Sequence, residues 1–133
     1  MFHSKLFKHS FVLVLFIAVL FQITKAFHLS WTFWWFDMIL HFLGGFWVST
    51  VVFLFWNHYF SASTTGWLKI VTIILVWTFL IGIAWEIFEL YFEVTSFSDG
   101  LAYWRDTASD LSMDIIGGIF GSLYSIRLNK ING

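Results

Sequence analysis

A chain of 133 residues in which 59% are hydrophobic, 23% aromatic and only 11% charged is too apolar for a water-soluble domain. Soluble domains carry about 25% charged residues, and one domain of this length has no interior large enough to hide 18 Phe and 9 Trp. The net charge of −1 leaves no basic surface for nucleic acid, the absence of Cys excludes thiolate chemistry, and the absence of Pro leaves glycine or an inserted side chain as the source of any kink.

Four segments approach the roughly 20 apolar residues that a bilayer-crossing helix needs. The first covers about 10–27. Lys5 and Lys8 precede its run "FVLVLFIAVLF" as in a secretory signal, but "QITKAFHLS" offers no small-x-small cleavage site, so it reads as a retained helix. His3 and His9 read as residues of a cytosolic tail. The second covers about 31–57 and opens on "WTFWWF", suited to an aromatic belt at a membrane surface. The third covers about 67–93. The fourth, about 104–126, is the most polar. The intervening loops "HLS", "HYFSASTTG" and "VTSFSDGLAY" are short, which makes neighbouring helices antiparallel.

The expected fold is therefore an all-α membrane protein, a single domain over residues 1–133 built as a four-helix up-down bundle. With both termini inside, Lys5, Lys8, Lys69, Arg127 and Lys130 are cytoplasmic, against Lys25 and Arg105 outside. That bias favours N-in/C-in.

All eight acidic residues fall in the same half of such a bundle: Asp37, Glu86, Glu89, Glu93, Asp99, Asp106, Asp110 and Asp114. At ~1.5 Å per residue, Asp37, Glu86 and Asp110 lie level, roughly 9–10 Å below their helix ends, with His41 and Asp114 about 15 Å down. Spacing also puts each set on one stripe: Asp37 and His41 at i, i+4; Glu86, Glu89 and Glu93 at i, i+3, i+7; Asp106, Asp110 and Asp114 at i, i+4, i+8. Gly117 and Gly121 continue the aspartate stripe as a small-residue seam, and Gly44 and Gly45 offer the same below His41. Glu93 and Asp99 read as solvated residues at the interface. Arg105 and Asp106 support the site, Asp106 by pairing with Arg105 or capping a helix.

A charge near the bilayer centre costs on the order of 2.5–3.5 kcal/mol. Clustered carboxylates with only Arg105 nearby therefore require either protonation or a bound cation. For the cation, the expected ligands are Asp37, Glu86, Asp110 and Asp114, with Glu89 or His41 as general base. Carboxylates plus imidazole favour Mg²⁺, Mn²⁺ or Ca²⁺ over Zn²⁺.

The run Asp106-x3-Asp110-x3-Asp114-x2-Gly117-x3-Gly121 after Arg105, with "WEIFE" and "FDMILHFLGG", resembles the VanZ-like family of small membrane proteins. The "DTASD" form resembles a related group of inner-membrane proteins. Asp114 stands where that family carries Asn. The resemblance implies a bundle in the bacterial cytoplasmic membrane and a link to glycopeptide (teicoplanin) resistance at the cell envelope.

Three functions fit these residues. The first is a metal-dependent enzyme, a hydrolase or phosphoryl transferase acting on a lipid or lipid-linked head group. The second is a non-catalytic factor that binds lipid or a partner protein. The third is a cation or proton carrier, for which the uncharged inner half offers no through-path except across a homo-oligomeric interface.

Overall fold

The computed structural model describes residues 4–132, apart from the side chains of residues 31, 131 and 132; His3 lies outside the described residues. The elements are α1 (Lys5–Ala26), a single turn α2 (Leu29–Thr32), α3 (Trp34–Phe60), α4 (Trp67–Tyr91), a 3-10 turn at Phe97–Asp99, and α5 (Leu101–Asn132). Among the described residues every regular element is helical.

Local chemistry moves several ends from their expected places. Ser4 caps α1 by accepting from the Phe7 amide at 3.1 Å, so the helix begins ahead of residue 10. His9 consequently lies within α1, not in a tail, and its Nδ1 meets the Tyr124 hydroxyl at 2.5 Å. The expected second helix is split, because Phe33 is extended (φ −127°, ψ 96°) between α2 and α3. Asn57 Oδ1 accepts from the Ala62 amide at 3.0 Å and turns the chain after α3. Before α5, Gly100 takes φ 62°, ψ −127°, a conformation open essentially to glycine alone.

Polar residues fill much of the interior, and large apolar residues cover the outside. Ser49, Thr50, Thr78, Ser122 and Ser125 are fully buried, while Phe11, Trp34, Trp77, Ile87 and Phe120 are exposed. In water such a surface would aggregate. In lipid it is the expected arrangement, because small hydroxyl residues let helices approach closely. The hydroxyls are satisfied within their own helices: Ser49 donates to the Phe46 carbonyl at 2.7 Å, Thr78 to Ile74 at 2.9 Å and Ser125 to Gly121 at 2.7 Å. One end of the bundle is closed by an apolar cluster that includes Leu6, Phe53, Leu54, Ile70 and Ile74. The opposite end holds the buried acids.

Helices α1, α3 and α4 are each long and apolar enough to cross a membrane. Helix α5 is long enough but carries too many polar residues to qualify. It lies between α3 and α4, packing most extensively on α3. Glycines set that contact. A Cβ on Gly45 would lie on the Asp114 backbone carbonyl, one on Gly117 on the Phe42 carbonyl, and one on Gly121 against Ser49 Oγ and the Phe46 carbonyl. Gly44 is different: a Cβ there would meet nothing within 4 Å. Consecutive helical residues point about 100° apart, so of the expected glycine pair only Gly45 faces α5.

Candidate metal centre

The close crossing of α3 and α5 brings their polar stripes together. Helix α3 delivers Asp37 and His41; α5 delivers Asp110 and Asp114. His41 stands at the middle. Its Nδ1 is 3.3 Å from Asp114 Oδ1, and its Nε2 is 3.7 Å from Asp110 Oδ2 and 4.0 Å from Asp37 Oδ2. His41, Asp110 and Asp114 are buried, and Asp37 is partly exposed at the edge.

The two sides of the ring differ in kind. At 3.3 Å the Nδ1 contact is a hydrogen bond. At 3.7 and 4.0 Å the Nε2 contacts are too long to be hydrogen bonds. One ligand atom each from Asp37, His41 and Asp110 nevertheless lies within 4.8 Å of the others. That spacing fits a common centre, since metal–oxygen and metal–nitrogen bonds run about 2.0–2.6 Å. With its proton on Nδ1, His41 donates to Asp114 and turns the Nε2 lone pair toward Asp37 and Asp110. A carboxylate behind a ligating imidazole commonly fixes the ring in this way.

This geometry rearranges the expected roles. Asp37 and Asp110 are in the three-residue group as expected. His41, expected as a base, sits among the ligand atoms. Asp114, expected as a ligand, lies behind His41 instead. Glu86, expected level with Asp37 and Asp110, is buried but outside the group. Its Oε2 accepts from the Thr107 hydroxyl at 2.8 Å, and its Oε1 has no hydrogen-bond partner. Thr107 is one turn before Asp110, so α4 meets α5 nearer its start than equal depth implies.

Glu89, the other expected base, is half-buried and accepts from Trp85 Nε1 at 3.0 Å. Glu93 falls beyond α4 in a left-handed conformation (φ 57°), which removes it from the glutamate stripe. Asp99 is exposed in the 3-10 turn. Arg105 and Asp106 are both exposed, and the ion pairs among the described residues all involve His41. Adjacent positions on a helix diverge, and Asp106 lies past the first turn of α5, so it neither pairs with Arg105 nor caps the helix.

Sequence reasoning missed Thr107, Trp85 and Gly82. Trp85 precedes Glu89 by four residues, so helical spacing placed it beside its acid, whereas Thr107 meets Glu86 across helices, a contact its own spacing does not signal. Gly82 was signalled less: a Cβ there would come within 2.6 Å of Asp114 Oδ2, a contact between helices.

A family model described as predicted membrane protein (DUF2238) matches residues 2–130. No curated protein and no solved structure matches the chain.

Proposed function

The chain belongs to that family of predicted membrane proteins, and from that premise we propose that it spans the bilayer four times, N-in/C-in. It holds a divalent cation at Asp37, His41 and Asp110 and acts on the head group of a lipid or lipid-linked substrate. The observation that carries this reading is the pair of Nε2–carboxylate distances, too long for hydrogen bonds and short enough for a shared ion.

The fourth span is α5. Its Asp110, Asp114, Ser122 and Ser125 are buried in the bundle, while Ile116, Ile119, Phe120 and Leu123 are exposed to the surroundings. Polar groups that point into a bundle are the ones a membrane tolerates. The charge bias supports the direction, and the bacterial cytoplasmic membrane is the proposed location. Kinship with VanZ-like proteins belongs to the same proposal and rests on the Asp106-to-Gly121 spacing. Cysteines placed at Ser63 and Ser98, both exposed loop residues, are expected to react with impermeant maleimide from opposite sides of the membrane, Ser63 from the cytoplasm. Labelling from one side would remove a span.

One imidazole and two carboxylates suit Mn²⁺ or Mg²⁺, as hard ligands do. Such a cation polarises a phosphoryl oxygen or acidifies water. Asp114 orients His41, and Glu89, half-buried and lining the same cleft as Asp37 and His41, would accept a proton. In proteoliposomes, wild-type protein with Mn²⁺ is expected to release labelled head group, and Glu89→Gln to lose most of that rate while still binding Mn²⁺. A second reading has protons in place of the metal, with a protonated His41 offsetting one carboxylate among Asp37, Asp110 and Asp114 and the other two acids neutral, which leaves a lipid-binding factor. Head-group release absent under all metals, with lipid still bound, would favour it.

A further inference from the structure

Helices α1 and α4 stand apart: α1 rests on α3 and meets α5 slightly, while among the described residues no Cα of α1 lies within 8 Å of one of α4. Between them lies a cleft of about 360 Å³. Val14, Ile17 and Phe21 of α1, Val48 of α3 and Ile81 of α4 form apolar walls, and Gly44 leaves the α3 side open. One end is polar, with Asp37, His41, Glu89 and Asp114.

We infer that this cleft takes one acyl chain of a phospholipid whose head group ends in an ammonium, with that head group at the Asp37–Glu89 end. The inference rests on the proposed membrane setting and lipid substrate class, not on the cation.

Chemistry selects the occupant. The cleft is open on the side between α1 and α4, so it is filled from the surroundings of the bundle. Water needs two to four polar partners, which the apolar walls do not provide. A single hydrocarbon chain needs no hydrogen bonds and enters from the bilayer between α1 and α4. The polar end carries three carboxylates and no Lys or Arg. That charge complements an ammonium and disfavours a purely anionic head group.

The test uses the full chain in phosphatidylcholine vesicles with phosphatidylethanolamine carrying a diazirine on one acyl chain. Mass spectrometry after irradiation maps the labelled residues. The expected labels concentrate on the walls named above, and Gly44→Phe lowers wall labelling by about tenfold, because a ring fills the space the chain occupies. Ile17→Trp, which closes the cleft from α1, is expected to act alike if Gly44→Phe does not fold. Replacing the probe with its phosphatidylglycerol counterpart is expected to lower wall labelling about threefold, the scale of one partly exposed ion pair. Labels spread over the outer belt, or unchanged in both filled variants, would overturn the inference. Equal labelling by the two head groups would overturn its head-group half. Wall labelling that persists in protein unable to bind Mn²⁺ supports the inference while removing the proposed cation.

Discussion

Gly45→Ala and Gly117→Ala are each expected to destabilise the protein by about 2–3 kcal/mol or more, at the upper end of overpacking costs. Gly44→Ala is expected to be neutral or to stabilise by about 0.5–1 kcal/mol, as Gly-to-Ala changes inside helices do. The contrast follows from what each added methyl meets. At Gly45 and Gly117 it lies on a backbone carbonyl of the opposing helix, which cannot rotate away as a flexible side chain can. At Gly44 it enters open cleft. Thermal unfolding in detergent, followed by circular dichroism, checks this. Three equal shifts would mean that α3 and α5 do not cross where described. Because the same crossing brings His41 to Asp110 and Asp114, the two damaging variants should also weaken cation binding.

Asp110→Asn is expected to lower Mn²⁺ affinity by more than about 100-fold, and Asp114→Asn by only about tenfold, the lower end of the range for residues that orient a ligand. Asp110 contributes an oxygen to the three-residue group, with Asp37 and His41. Asparagine there keeps the shape but loses the charge and much of the donor strength. Asp114 acts through His41 Nδ1 at 3.3 Å. An asparagine side-chain oxygen still accepts from Nδ1–H, so the ring keeps its orientation and loses only the polarising charge. Isothermal titration of purified variants reads both values. Equal losses would place Asp114 among the ligands, and no loss at either would make the acid stripe a satisfied polar seam.

Helical spacing and loop length made much of this legible. Asp37 with His41, and Asp110 with Asp114, are i, i+4 pairs whose own spacing fixes one face, and short loops set the helices antiparallel. Depth and rotation were not legible for Glu86, which meets Thr107 and not Asp110. Which neighbour a stripe meets depends on how far each helix turns about its axis, and that is decided by contacts such as Gly45 on Asp114 and Glu86 on Thr107. The same limit hid the difference between Gly44 and Gly45, which are adjacent and chemically identical. The break at Phe33 was hidden in the aromatic run "WTFWWF", where no Gly or Pro marks a stop. Glu93 left its stripe because α4 ends at Tyr91, two residues earlier than its apolar pattern implies.

The central claim is that Asp37, His41 and Asp110 hold a cation together. Low-temperature electron paramagnetic resonance of the full chain titrated with Mn²⁺ tests it most directly. The account predicts one tightly bound Mn²⁺ per chain, with hyperfine coupling to a single imidazole nitrogen that disappears in His41→Ala. Mn²⁺ that stays free in solution, or that binds without nitrogen coupling and equally well in His41→Ala, would contradict it.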